Sequence, residues 1–475
     1  MMTTPTQPSV RTAADLRGRR AVVLGLARSG IAASRFLADA GADVVAYDRR
    51  TASELADAVA ALGARPIRLA LGVDEAAAVA LLDGAELLVT SPSVSPRFPT
   101  TDLWLREALA AAETRGAELV SEVALFLRLT SARIVGVTGT KGKTTTSSLL
   151  AAMLEASGVP AALGGNIGTP LIERSLELGP DDWAVLELSE LQLPTIARGA
   201  DVAVYTNIGE DHLDRHGTVE AYRAVKARLA ELSVAGGHVV LNHDDPGCRE
   251  LATRLPADRL AWYGLDRSGD LQAWVDDDDW VTMAGERLLP RSEVPLPGRH
   301  MLSNVLAAAL GAMLVGVGRE AIAAAVRDFP GVPHRLETVG ERNGVRWVND
   351  SQATIPAAAI AALDAFDDRP VVLIAGGKDK GLEYDAFADA IAARARAAVL
   401  IGETADELAT LIDGRVPVER ATSMEGAVAT AARLAQTGDV ALLAPAAASF
   451  DMFVDYAARG DAFRAAVASL AEGPT

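Results

Sequence analysis

The chain has 475 residues, half of them hydrophobic, with 45 Lys plus Arg against 63 Asp plus Glu and a formal net charge of −18. That length exceeds one ordinary core and points to two to four domains, while the acidic balance argues against a nucleic-acid partner, which calls for a basic footprint. The single cysteine, Cys248, excludes an internal disulfide framework and a multi-cysteine metal site.

The opening MMTTPTQPSV lacks the apolar centre of a signal peptide, and no run of about 18 uninterrupted apolar residues occurs. A cytoplasmic protein without a membrane span is expected. From Arg20 the pattern reads strand, turn, helix, strand: AVVLGLARSG, a helical stretch, then DVVAYD, the βαβ unit of a parallel sheet. A further strand, AELLVTSP, ends in a Ser/Pro loop. After SEVALFL comes ARIVGVTGTKGKTTTSSLLAAML, again strand, loop, helix. Strands are predicted at WAVLELS, DVAVYTNIG and GHVVLN, and after FPGVPHR at GVRWVND, RPVVLIAGG, AAVLIGE and DVALLAP. Ala-rich stretches between 384 and 440 carry Leu, Ile or Val at helical spacing and read as helices. This rhythm predicts three α/β domains, with boundaries placed at residues 1–126, 127–331 and 332–475.

The strongest motif is Gly136-Val137-Thr138-Gly139-Thr140-Lys141-Gly142-Lys143-Thr144-Thr145, read as a Gly-x-x-x-x-Gly-Lys-Thr phosphate loop with Gly136 and Gly142 as its outer glycines. Backbone N–H groups of such a loop point into one concavity, and the following helix adds positive potential. Gly139 to Thr145 are therefore nucleotide-binding candidates, with Lys143 reaching the β- and γ-phosphates of ATP and the Thr144 hydroxyl on Mg²⁺. The earlier turn from Gly25 to Gly30 is an incomplete dinucleotide fingerprint, because position 27 is Ala. A dehydrogenase is thus disfavoured. Asp48, at the end of the next strand, is either a ribose or base acceptor or an ordinary strand-end acid.

Glu187 ends an apolar strand, where a carboxylate serves either as a Mg²⁺ ligand or as a helix cap. Of the twelve residues Thr206 to Gly217, six are ionisable. That segment reads as a solvated loop or, given the phosphate loop upstream, as a metal site with His212 as ligand. Lys226 lies in a helical stretch and by itself reads as a surface lysine.

Taken in order, these segments resemble the Mur ligase family. TGTKGKTTT resembles its ATP loop, ELSELQ its acidic motif, and TNIGEDHLDRHG with AYRAVK its metal-and-lysine segment. GRHMLSN, PHRLE, VNDSQATIP, AGGKDKG and LLAPAAASFDMFVDYAARGDAF resemble later segments, so the match runs from about residue 21 to 463. The third-domain segments are similar to those of the glutamate-adding branch, and the Asp-Asn-Pro-Arg and Asp-x-x-His-Asn-Pro signatures of other branches are absent.

The resemblance implies an N-terminal Rossmann-like domain for a UDP-muramoyl substrate, a central P-loop ATPase-like parallel sheet, and a C-terminal Rossmann-like domain for glutamate. It implies an ATP- and Mg²⁺-dependent ligase joining glutamate to UDP-N-acetylmuramoyl-alanine through an acyl phosphate in peptidoglycan synthesis, active as a monomer. Carried over residue by residue, Lys143, Glu187, His212 and Lys226 would be catalytic, with Thr144, Glu187, His212 and Lys226 around the metal. Lys226 corresponds to a lysine that family members carbamylate, which calls for a depressed pKa. Asn304, Arg335 and Asp350 would hold the adenine, phosphate and ribose. Asp48, Ser91 and Asn166 would face the UDP-muramoyl substrate; Thr354, Lys380, Ser449 and Tyr456 would face glutamate. Gln352, Met301, Ser93 and Tyr456 depart from the family's usual residues. The rival readings are a ligase with another acceptor and a nucleotide-binding sensor or scaffold.

Overall fold

The computed structural model describes residues 10–266, 269–366 and 369–470. The leader reading rested on the first ten residues, of which 1–9 lie outside the described ones. The chain forms three sheets. In spatial order the first runs Ile67–Leu71, Asp43–Asp48, Arg20–Leu24, Leu87–Thr90, Glu118–Val120, all parallel. That is the 3-2-1-4-5 order of a Rossmann-type sheet.

The second sheet has nine strands. Six parallel neighbours run from Leu260–Asp266 through His238–Asn242, Val202–Tyr205, Arg133–Thr138 and Trp183–Glu187 to Ala161–Gly165. Val-, Ile- and Leu-rich runs make these strands because a parallel sheet is covered on both faces and alternation is not needed. Ala273–Val275 joins in parallel, and Trp280–Met283 and Glu286–Pro290 then add antiparallel strands at that edge. Sequence reading missed this edge: four aspartates, Asp276 to Asp279, interrupt short strands that carry little apolar signal.

The third sheet runs Glu337–Arg342, Val345–Asn349, Val440–Leu443, Val371–Ala375, Ala395–Leu400, Val418–Arg420, with only the first pair antiparallel. Its opening hairpin turns on Asn343 (φ 53°) and Gly344 (φ 71°), the residue pair that tolerates a two-residue turn with positive φ. The Ala-rich stretches are the helices Asp385–Arg394, Ala405–Ile412 and Met424–Leu434.

By contacts the chain divides into two units, Met1–Arg291 with Ser303–Val326, and Ser292–Leu302 with Arg327–Thr475. The first two sheets fall in one unit because a continuous apolar core joins them. Val23, Phe36 and Leu37 from the first share a cluster with Phe126, Ile134 and Leu186, all under 7 % exposed. Each such side chain contributes about 1.5–3 kcal/mol on burial.

Candidate nucleotide and cation site

In the first unit the phosphate loop follows the strand Arg133–Thr138 and opens the helix Lys143–Ala156. The glycine assignment made from sequence needs correcting. Five residues, not four, stand between Gly136 and Gly142. Gly136 lies inside the strand, where a Cβ would meet Leu229 at 2.9 Å. The loop's working glycines are Gly139 and Gly142, at φ 154° and 86°. A Cβ on Gly139 would lie 1.9 Å from Thr206 Oγ1, and one on Gly142 2.3 Å from Asn304 Oδ1. Only glycine fits either place.

The loop is tied to the segment after the neighbouring strand. Asn207 accepts from Thr140 N through its carbonyl and from Lys141 N through Oδ1, each at 2.9 Å. Thr140 Oγ1 accepts from Gly209 N and lies 3.0 Å from Tyr222 Oη. Lys143 Nζ donates to the carbonyls of Gly139 (2.9 Å) and Thr140 (3.1 Å). Thr144 is half-buried at the helix start, and Thr145 is buried with an unpartnered hydroxyl. Lys141 is exposed and pairs with Asp211 at 3.3 Å.

Beside the loop stand buried charges of both signs. Glu187 is 1 % exposed; its Oε1 accepts from Asn166 Nδ2 at 2.8 Å, and its Oε2 is buried without a hydrogen-bond partner. Lys226, read from sequence alone as a surface residue, is fully buried on the helix Val219–Glu231. Its Nζ donates to Gly139 O (3.0 Å) and Thr138 Oγ1 (3.3 Å). Burial, reinforced by the positive charge of Lys143, lowers its pKa to about 7 against the pull of Glu190, Asp211 and Glu187. His212 adopts a left-handed φ of 51°, uncommon for a residue with a side chain, and caps the short helix Leu213–His216. Its Nε2 lies 3.4 Å from Glu190 Oε1 and 3.8 Å from Asp211 Oδ2. Lys143, Glu187, His212 and Lys226 are thus brought to one end of the sheet.

A buried carboxylate oxygen with no donor costs several kcal/mol unless a cation or proton meets it. Glu187 Oε2 therefore fits a divalent cation. Among the described residues no three His, Cys, Asp or Glu side chains converge on one point. A Mg²⁺ ion held by Glu187 would take most of its octahedron from phosphate oxygens and water.

Elsewhere in this unit, Asp48 accepts from Leu26 N (2.9 Å) and from the Arg50 backbone and guanidinium. Burial works to raise its pKa, but Arg50 and these amides outweigh it and hold it at about 2. Both its oxygens thus brace the βα turn. Ser91 follows the strand Leu87–Thr90, with its hydroxyl 3.3 Å from Ser93 Oγ. Asn304, 6 % exposed on the helix Arg299–Leu314, sits against Gly142.

The second unit carries its own polar cluster at the strand ends. Arg335 Nε donates to Gln352 Oε1 at 2.8 Å, so the departing residue Gln352 orients the arginine. Asp350 is 7 % exposed and accepts from Leu336 N at 3.1 Å; burial raises its pKa to about 6 despite that bond and Arg335. Lys380 Nζ donates to Thr354 O at 3.0 Å, bringing those two predicted residues together. Ser449 is buried, its carbonyl accepting from Met452 N and Phe453 N. Tyr456 is 40 % exposed, stands edge-on to His334, and its carbonyl accepts from Ser351 Oγ at 2.7 Å.

Sequence reading missed Glu190, Asn207, Tyr222 and Arg459. Arg459, 1 % exposed, donates to Ser351 Oγ and O and to the carbonyls of Ala447 and Ala448 at 2.9–3.1 Å, fixing the loop that ends in Ser449. Glu190 stands three residues after Glu187 within ELSELQ, a spacing that placed a second acid near the first.

Fold and site together define a phosphate-loop α/β enzyme that activates a substrate with a nucleoside triphosphate. The Mur ligase middle domain matches residues 137–312 and the Mur ligase glutamate ligase domain residues 334–447. A relative from Solibacter usitatus named UDP-N-acetylmuramoylalanine–D-glutamate ligase is 41 % identical over 456 residues, covering 96 % of this chain and 99 % of the relative. One of the same name from Roseiflexus sp. (strain RS-1) is 40 % identical, covering 96 % and 100 %. Among solved structures, the UDP-N-acetylmuramate-alanine ligase of Thermotoga maritima aligns with a TM-score of 0.59 at 17 % identity over 95 % of this chain and 99 % of that one, a likeness of fold. The chain belongs to the Mur ligase family, whose members are ATP-dependent amide-forming ligases.

Proposed function

We propose that this enzyme joins D-glutamate to UDP-N-acetylmuramoyl-L-alanine at the expense of ATP, in peptidoglycan precursor synthesis. The observation that carries the reading is a glycine-built phosphate loop with the partnerless Oε2 of Glu187 and the buried amine of Lys226 beside it. Full-length similarity to relatives of that name supports the substrates. We assign residues 1–126 to the muramoyl nucleotide (Asp48, Ser91), 127–331 to ATP, with Asn166 of that segment also facing the muramoyl nucleotide, and 332–475 to glutamate (Thr354, Lys380, Ser449, Tyr456). Asn304, Arg335 and Asp350 are assigned to the nucleotide.

The loop amides from Gly139 to Thr145 and the Lys143 ammonium hold the phosphates and meet the charge that spreads over the transferring phosphoryl group. Thr144, Glu187 and His212 would hold Mg²⁺, which when bound neutralises the β- and γ-phosphate oxygens. The alanyl carboxylate attacks the γ-phosphorus and ADP leaves, giving an acyl phosphate. The glutamate amine then attacks the acyl carbon, phosphate departs from the tetrahedral intermediate, and the amine proton is released. Burial lowers the Lys226 pKa to about 7, which makes the neutral amine accessible near neutral pH. That amine is poised to take up CO₂ as a carbamate with loss of a proton, adding a carboxylate-like oxygen donor. A monomer working in the cytoplasm suits small soluble substrates, and among the described residues no helix is long and apolar enough to cross a membrane.

The test is mass spectrometry of the product formed from ATP, Mg²⁺ and UDP-N-acetylmuramoyl-L-alanine, with D- and L-glutamate supplied separately. Glutamate joined to the nucleotide only in the D arm is expected. A product with L-glutamate alone reverses the stereochemistry, and none with either rejects the substrate assignment.

A further inference from the structure

Glu190 has no role in the assignments above, yet it is only 5 % exposed and sits where the charges converge. Its Oε1 lies 3.4 Å from His212 Nε2 and 3.9 Å from Arg215 Nη1, and its Oε2 lies 3.9 Å from Lys226 Nζ. An acid buried only to hold a surface loop would be matched by one basic partner at contact distance. Here the carboxylate is spread among three groups, none of which is closer than 3.4 Å.

The spacing to His212 fits a shared ligand. Two donors 2.0–2.1 Å from an octahedral Mg²⁺ and at right angles to each other stand about 3 Å apart. The gap between Glu190 Oε1 and His212 Nε2 is 3.4 Å, so a small inward shift of either side chain makes them adjacent ligands of one ion. A second, independent observation calls for a cation within the charge field of Lys226. Glu187 Oε2, buried and without a partner, belongs to the group of charges, with Glu190, that surrounds Lys226.

We propose that Glu190 is a cation ligand of this site, binding a divalent ion jointly with His212. This rests on the ligase reading only for the purpose the cation serves; the binding itself is a property of the side chains. Glu190 adds a carboxylate beside Lys226, whose amine donates to Gly139 O, and it fixes the His212 ring while doing so.

Mn²⁺ is the probe, titrated into the full-length protein without nucleotide, with the free ion counted by its electron paramagnetic resonance signal. Glu190→Gln keeps the shape and removes the charge, and should weaken Mn²⁺ binding about tenfold or more. The same variant should bind a fluorescent ADP analogue in EDTA as the unaltered protein does, because the loop amides are untouched. Equal Mn²⁺ affinity in Glu190→Gln overturns the proposal. So does an unaltered protein that binds the ADP analogue but no Mn²⁺, an outcome that leaves the ligase reading standing; loss of both ligands sinks the two together. If Glu190→Gln melts too low to titrate, Glu190→Asp takes its place. Its shorter carboxylate should give intermediate Mn²⁺ affinity, and affinity equal to the unaltered protein is again fatal.

Discussion

The phosphate-loop end of the second sheet and the Ser449 end of the third are built alike, from loops leaving the carboxyl ends of parallel strands, but their buried charges are balanced in opposite ways. At the first, Glu187 keeps one oxygen without a partner while Lys226 and Lys143 are held on carbonyls and a hydroxyl. At the second, the Arg459 guanidinium is buried against neutral oxygens of Ser351, Ala447 and Ala448, and Lys380 adds a second cation whose pKa is lowered by burial and by Arg459. One end buries a carboxylate oxygen without a partner, the other a guanidinium hydrogen-bonded to neutral oxygens. Similar scaffolding thus buries different charges at its two strand ends, and what a strand end binds is decided by the few charges its loops bury.

The sharpest way to break this comparison is to remove the loop's own cation. Lys143→Ala should lower ATP-dependent phosphate release by about a thousandfold or more, since its ammonium is the one folded back over the loop carbonyls of Gly139 and Thr140. Normal turnover in that variant would remove the phosphate-loop assignment. Next in size is Arg459→Ala at the other end. It strips donors from three buried carbonyls and the Ser351 hydroxyl, so a loss of stability of about 3 kcal/mol is expected. The KM for glutamate should rise with it, while nucleotide binding stays unchanged. An unchanged KM would mean that Arg459 serves the fold and not the anion site. Lys380→Ala, which spares the buried network, should raise the same KM without a comparable drop in melting temperature.

How much of this was legible in the sequence follows from the range of the interactions involved. The strands were readable because both faces of a parallel sheet are buried, which writes runs such as RIVGVT and VVLIA into the chain. Lys143 and Thr144 were readable because a phosphate loop is local. Lys226 was not, since nothing within its helix signals that it points at Thr138 and Gly139, some 87 residues earlier. Its family resemblance, not its surroundings in sequence, singled it out. Arg459 and Glu190 act across 108 and 36 residues, on Ser351 and Lys226, and such long-range pairings leave no periodic trace. The Gly136 assignment failed on a spacing the sequence already carries, five residues between it and Gly142 where the motif has four, and the structure shows Gly136 as a strand glycine packed against Leu229.

A smaller effect isolates the part of the first unit that carries no charge balance at all. Glu122 lies in the core between the first two sheets, accepting from Ile172 N at 2.9 Å, and burial raises its pKa to about 7. A carboxylic acid whose folded pKa is raised binds its proton more readily folded than unfolded. It costs nothing below its ordinary value near 4.5, and stability is lost as pH rises from there through about 7. Above that the penalty is complete, on the order of 3 kcal/mol. Glu122→Gln keeps an acceptor for the Ile172 amide and cannot ionise. Its melting temperature should exceed that of the unaltered protein at pH 8 and match it at pH 4.5, and a difference independent of pH would show that packing, not ionisation, sets the effect.

The exposed Lys141–Asp211 pair gives the smallest expected change and the cleanest control. It lies on the same loop as Lys143, but Lys141 is three-quarters exposed. Ion pairs of that kind contribute about 0–1 kcal/mol and are screened by salt. Lys141→Ala should therefore shift the melting temperature little, and less still in high salt. Lys143→Ala should instead abolish activity at any ionic strength, because its target is a phosphate held inside the loop. Should the two variants prove equally damaging, burial would not be what separates the working lysine from the decorative one, and the contrast between the two strand ends would lose its physical basis.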